Sequence, residues 1–249
     1  MDEGIFNPVL YLERLENSIK DSVPAPVALI VSFPSNPTAQ VVSLEFYKEL
    51  VKIALKYNVY ILSDLAYAEI YYDNLPPPSI LQVSKAKEIA VEFTSMSKTY
   101  AMAGWRIGFA VGNTTLINAL TRIKSYLDYG AFTPVQVSAA AALNGPQDCV
   151  QEIRNIYQKR RDVLISSMAR AGWNIPSPKA SMFAWAPIPQ QYKNKGSLAF
   201  AKELMLKADV AVSPGVAFGE FGEGYVRVGL VENEQRIKQA AKNIKNILS

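Results

Sequence analysis

Residues Val27–Asp64 read VALIVSFPSNPTAQVVSLEFYKELVKIALKYNVYILSD. The first seven, Val27–Phe33, make a short continuous apolar run rich in β-branched side chains, as expected of a strand buried on both faces. A helical pattern follows. Ser43 is placed as an N-cap, and Tyr47, Leu50, Val51, Ala54 and Leu55 recur at the i, i+3, i+4, i+7, i+8 spacing of an amphipathic helix. A second apolar run, VYILSD, then ends at Asp64. Strand, helix and strand in succession argue for an α/β fold with a mostly parallel sheet.

The same alternation continues outward. IAVEFTS (Ile89–Ser95) reads as a third strand, and RIGFAVG (Arg106–Gly112) as a fourth that follows after a short connection and is free to pair differently. From Thr115 to Gly172 the pattern is helical, with a long amphipathic stretch from Gln147 to Ala171. Beyond SPKAS the character changes. MFAWAPI, VAVSPG and YVRVGLV read as strands, with helices near Leu198–Lys207 and Glu234–Leu248. The expected organisation is therefore part of a large α/β domain over residues 1–145, a connecting helix over 146–171, and a smaller α+β domain over 172–249.

Composition removes several function classes. The 249 residues contain no histidine, which excludes serine–histidine and cysteine–histidine nucleophile pairs and histidine metal sites. One cysteine, Cys149, cannot form an intrachain disulfide and fits a reducing compartment. The formal charge of +4 is spread along the chain. Its longest basic cluster, Lys159-Arg160-Arg161, shares a helical pattern with acids, so a solvated helix face is expected there and not a nucleic-acid footprint. No apolar run is long enough to span a membrane, and the opening MDEGIFNPVLYLERL has neither the basic nor the apolar region of a secretory signal. A cytoplasmic location is expected.

The strand ends carry the chemistry, because ligands of open α/β sheets bind outside the carboxyl ends of the strands. The first strand runs into PSNPT with Asn36, the second ends at Asp64 with Tyr67 three residues on, and the third ends at Ser95 followed by Ser97 and Lys98. Arg106 opens the fourth. Each has an ordinary structural role when taken alone: turn residue, cap, packing ring, surface charge. Together they supply what pyridoxal phosphate requires. Lys98 is an amine for its aldehyde. Asp64 is a carboxylate for its ring nitrogen, while Asn36 and Tyr67 are neutral donors for its ring hydroxyl. Arg106, Ser95 and Ser97 are a cation and hydroxyls for its phosphate.

In PSNPTA, SDLAYAEIYYD, SMSKTYAMAGWRIGF and YVRVGLV the chain resembles the fold-type I class I/II aminotransferases. Within that family it is most similar to bacterial alanine (glutamate–pyruvate) aminotransferases, by SFPSNPTAQ, AVEFTSMSK, RIKSYLDYG and KASMF, with diaminopimelate aminotransferases a near alternative. The resemblance implies that Lys98 is the covalent anchor and that Arg227, in the late strand YVRVGLV, binds the substrate α-carboxylate together with Asn36. It also implies a homodimer, amino-acid and 2-oxo-acid substrates, and no nucleic-acid or membrane partner. YGAFTPVQ lacks the arginine of aspartate-specific members, which weakens an aspartate reading.

Family chains are longer, and this one is expected to be truncated at its N-terminus, without the first strands, the helix start that holds the phosphate, and the ring-stacking aromatic. An exposed apolar strand edge, self-association and little activity follow as expectations for such a chain. Other fold-type I chemistry such as a C–S lyase, or a non-catalytic fragment, are the alternative readings.

Overall fold

The computed structural model describes residues 6–248 and divides into two compact units. The first takes the chain up to Pro34, then Gln40–Glu69 and Pro76–Val150; the second takes Ser35–Ala39, Ile70–Leu75 and the chain from Gln151 onward.

In the first unit, α1 (Pro8–Asp21) begins at Asn7, whose Oδ1 accepts hydrogen bonds from Val9 N and Leu10 N, both at 3.1 Å. Proline at the first helical position loses no hydrogen bond. The strands are β1 (Ala28–Ser32), β2 (Tyr60–Asp64), β3 (Ala90–Ser95) and β4 (Gly108–Gly112), in the spatial order β1-β2-β3-β4. The first three are parallel, with Ser32 opposite Asp64 and Asp64 opposite Phe93; β4 runs antiparallel, with Gly108 opposite Ser95. The helices are α2 (Leu44–Tyr57), the single turns α3 (Ala86–Ile89) and α4 (Met96–Thr99), α5 (Thr114–Leu127) and α6 (Thr133–Asn144).

Ser43 caps α2 as expected, its Oγ accepting from Phe46 N at 3.2 Å. The helix buries Phe46, Tyr47, Leu50, Val51 and Ala54 against Leu29, Val31 and Ile61 of the sheet. Leu55 is 36% exposed, because eight residues carry it about 80° round the helix from Tyr47, to the flank of the apolar stripe. The expected two-sided burial of β1 is not observed. Leu29 and Val31 are buried, but Ile30 between them is 76% exposed. A continuous apolar run cannot say which of its faces receives a helix, and here only the α2 side is covered among the described residues.

Strand β3 buries a carboxylate. Glu92 is 4% exposed and accepts hydrogen bonds from Ser79 Oγ (2.7 Å) and Ile80 N (3.1 Å). Burial holds its pKa above the ordinary glutamate value, outweighing both hydrogen bonds.

In the second unit, α7 (Asp148–Arg170), α8 (Gly196–Ala208) and α9 (Glu234–Leu248) accompany an antiparallel sheet of β5 (Phe183–Pro187), β6 (Ser213–Pro214) and β7 (Tyr225–Gly229), in the order β5-β7-β6. Strand alternation sorts the faces. Ala184, Ala186, Val226 and Val228 point into a core with Phe200 and Leu204 of α8 and Ile237, Ala241 and Ile244 of α9. The expected VAVSPG strand shrinks to Ser213–Pro214. Asp209, in the left-handed region (φ 55°), closes α8 just before it, and a 3-10 turn starts at Gly215 just after. The short Ile70–Leu75 segment is knitted in through Ser181 N to Ile70 O (2.8 Å) and Tyr72 N to Lys179 O (3.0 Å). The buried Tyr72 hydroxyl donates to Ser181 O, and Arg161, 5% exposed, forks onto Asp73 at 2.7 and 2.8 Å. Among the described residues no helix is long and apolar enough to cross a membrane.

Candidate functional site

Parallel pairing of β2 with β3 brings their carboxyl ends, Asp64 and Ser95, to one edge of the first unit. Asp64 is exposed there, and its Oδ1 accepts from Ala66 N at 3.1 Å, which starts the turn that carries Tyr67. Leu65 N, bonded to Phe93 O at 2.8 Å, ties that turn to β3. Tyr67 is buried, and Lys98 Nζ lies 5.9 Å from its ring centroid.

Ser95 ends β3 and caps α4, its Oγ accepting from Ser97 N at 3.2 Å. That leaves the Ser95 O–H as a donor. The single turn of α4 then sets Lys98, half-buried, just beyond the strand end, with Ser97 buried beneath.

Arg106 does not open β4 as expected. It sits two residues before it in the left-handed region (φ 51°, ψ 49°), after a 3-10 turn at Ala103–Trp105, and its Nη1 donates to Ala103 O at 3.0 Å. The apolar pattern of RIGFAVG could not report that break, because arginine fits a strand end and a turn equally well. The next residue joins this loop to α4, through Met96 N to Ile107 O at 3.2 Å. Gly108 permits the close approach: a Cβ there would lie 2.4 Å from Thr94 O.

Among the described residues, none of Lys98, Asp64 and Arg106 takes part in an ion pair. An amine without a counter-ion, a carboxylate beyond it, hydroxyl donors and a guanidinium on the adjoining loop form a set that could hold pyridoxal phosphate. The residues present fit the group.

The second unit joins the other two expected residues. Arg227 Nη1 donates to Asn36 Oδ1 at 2.8 Å, across 191 positions of sequence. Nη2 donates to Ser213 Oγ at 3.3 Å. Arg227 stands on the face of the small sheet opposite the core, directly across from Trp185 and Ser213. Its guanidinium carbon is 4.3 Å from the Phe183 ring centroid and 4.7 Å from that of Phe218. Trp185 stacks on Tyr225 (5.4 Å, 10° between planes) and meets Phe218 edge-on (5.9 Å, 76°). Ser213, Phe183 and Phe218 are absent from the expected set. The alternation of MFAWAPI does put Phe183 and Trp185 on one face, but nothing local to it points at Arg227.

Comparison with known proteins places these geometries in context. The family model described as aminotransferase class I and II matches residues 9–244. The protein AatC of Rhizobium meliloti (strain 1021) is 58% identical over 100% of this chain and 60% of its own length. The glutamate-pyruvate aminotransferase AlaC of Escherichia coli (strain K12) is 54% identical over 94% of this chain and 57% of its own. Among solved structures, the aromatic aminotransferase of Pyrococcus horikoshii OT3 matches with a TM-score of 0.88 and 28% identity, covering 99% of this chain and 64% of that one. The chain thus spans about 60% of the length of the curated relatives it matches.

Proposed function

The chain belongs to the class I and II aminotransferases, and from that premise we propose that it carries the chemistry of a pyridoxal-phosphate-dependent aminotransferase acting between alanine or glutamate and a 2-oxo acid. The observation that carries this reading is Lys98: an amine without an ion-pair partner, on one helical turn at the carboxyl end of β3, beside the ring of Tyr67. The similarity to the glutamate-pyruvate aminotransferase AlaC supports the choice of substrates.

Bound pyridoxal phosphate supplies an aldehyde and an electron-withdrawing ring. The Lys98 amine would hold the group by its aldehyde carbon and, when free, would serve as the base for the substrate Cα proton. The Asp64 carboxylate would keep a proton on the ring nitrogen, and the Tyr67 hydroxyl would serve as a donor to the ring oxygen. Ser95 and Ser97 O–H groups and the Arg106 guanidinium, whose Nη1 here donates to Ala103 O, would hold the phosphate. The Arg227 fork takes the substrate α-carboxylate. Asn36, expected at the ring hydroxyl and at the substrate, holds one edge of that fork. The proposal extends to a cytoplasmic homodimer without nucleic-acid or membrane partners, consistent with the lone Cys149; sedimentation of the purified protein at monomer mass would remove the dimer.

Borohydride reduction of cofactor-loaded protein followed by peptide mapping tests the anchor. The pyridoxyl group is expected on Lys98, and a label on another lysine overturns the assignment. Amino-group transfer that depends on an added 2-oxo acid separates a transaminase from a C–S lyase, and failure to develop a visible absorbance band with the cofactor favours the non-catalytic reading.

A further inference from the structure

We propose that Phe183 and Phe218 are positioning residues for Arg227, and that their rings hold its guanidinium plane so that an arriving carboxylate meets two N–H groups at once. This rests on the reading of Arg227 as a carboxylate clamp. It adds two residues which neither the sequence motifs nor the family match assigns to that task.

The side chain is restrained in two independent ways. Within the guanidinium plane, Nη1 is held by Asn36 Oδ1 at 2.8 Å and Nη2 by Ser213 Oγ at 3.3 Å. These engage two of the five N–H groups of arginine, and a carboxylate fork needs only two of the remaining three. Neither bond stops the plane from tilting. The rings do: with their centroids 4.3 and 4.7 Å from the guanidinium carbon, each attracts the cation to its π face.

The rings are themselves braced. Phe183 is anchored in β5, where it pairs with Gly229, two residues beyond Arg227. Phe218 ends a 3-10 turn and abuts Trp185, which is stacked on Tyr225. Stability does not account for this arrangement. The core of the unit lies on the other face of the sheet, at Ala184, Ala186, Val226 and Val228, whereas Phe218 remains 39% exposed. A large ring left open beside a solvent-facing cation contributes little to folding, but it pre-organises a fork that has to meet its ligand with fixed geometry.

Four variants of the cofactor-loaded protein test this: Phe183→Leu, Phe218→Leu, Phe218→Tyr and Arg227→Lys. Each is titrated with pyruvate as the carboxylate probe by calorimetry, then assayed for the KM and kcat of alanine. The two leucine variants are expected to weaken pyruvate about threefold to tenfold and to raise KM by a similar factor, with a smaller change in kcat. Phe218→Tyr keeps the π face and should bind within about twofold of the parent. If Arg227→Lys weakens binding but both leucine variants bind like the parent, the rings have no positioning role and the clamp stands. Unchanged binding in Arg227→Lys removes the clamp itself.

A measurement on the unaltered protein covers the case where a leucine variant does not fold. With 15N-labelled arginine, the Arg227 side-chain N–H signals, identified by their loss in Arg227→Lys, should be shifted upfield by the rings and show slow rotation about Nε–Cζ. A single averaged Nη signal at the chemical shift of a solvated arginine would overturn the proposal.

Discussion

Glu92→Gln should leave the protein as stable as the parent at neutral pH, or more so, and should flatten part of its dependence on pH. The carboxylate is 4% exposed and, among the described residues, receives Ser79 O–H and Ile80 N–H, too few donors to replace water around a charge. Its folded pKa is raised, with burial as the largest cause. A group whose folded pKa lies above its unfolded value binds its proton more tightly in the native state. Its contribution is therefore fully present below the unfolded carboxylate pKa, about 4.3, and is lost as the pH rises through the folded pKa. Glutamine removes the titration while keeping the contacts: its carbonyl can accept from Ile80 N and its amide can donate to Ser79 Oγ. That hydroxyl already accepts from Leu81 N and has a second lone pair. Glu92→Ala strands Ile80 N–H in the interior, which costs about 1–3 kcal/mol, and opens a cavity besides. Urea unfolding at several pH values between 5 and 8 reads both effects. The ordering expected at pH 7 is Gln equal to or above the parent, with Ala well below. If Gln loses about as much as Ala, the charge is a net stabiliser of this segment and the reasoning from desolvation is wrong.

Two further perturbations test the packing. Gly108→Ala would push a methyl to within 2.4 Å of Thr94 O, forcing β4 off β3 beside the turn that carries Lys98. A loss of about 1–3 kcal/mol is expected in thermal denaturation, along with weaker cofactor binding; a melting temperature equal to the parent's would mean that the strands can part without cost. Asp73→Ala leaves the buried Arg161 with only the half-exposed Asp162 carboxylate and puts alanine at a left-handed position (φ 58°), so about 2–4 kcal/mol should be lost. Asp73→Asn keeps an acceptor and tolerates that backbone, and should lose less than half as much in the same unfolding experiment.

What the sequence reveals about this molecule divides along the range of the forces involved. Ser43 and the stripe from Tyr47 to Ala54 are legible because an N-cap and a 3.6-residue period are local. The parallel sheet and the gathering of Asp64, Tyr67, Ser95 and Lys98 at one edge follow from strand ends alone. Asn7-Pro8 at the head of α1 carries an equally local cap signal, though α1 is absent from the expected elements. The bond from Arg227 to Asn36 is of another kind, since no periodicity encodes a partner 191 positions away. The same holds for Phe218, whose approach to Arg227 depends on how a 3-10 turn packs beside the sheet. The exposure of Ile30 was hidden because hydrophobicity records affinity for a neighbour and not the neighbour's presence.

The second unit draws on three stretches of chain, and the Ile70–Leu75 stretch supplies the ring of Tyr72 and the carboxylate of Asp73 to it. Ribosomal synthesis therefore makes this piece of the unit long before the strands it joins, and it must wait, half-assembled, for residues beyond Gln151. Genetically the unit is not a cassette. A recombination event that moved Gln151–Ser249 into another gene would carry the clamp arginine and the small sheet, but would leave behind the tyrosine that plugs its core and one of the two carboxylates paired with Arg161. Selection would then see an exposed cavity and a buried cation that has lost its bidentate partner, so shuffling of this half alone should be rare among viable descendants.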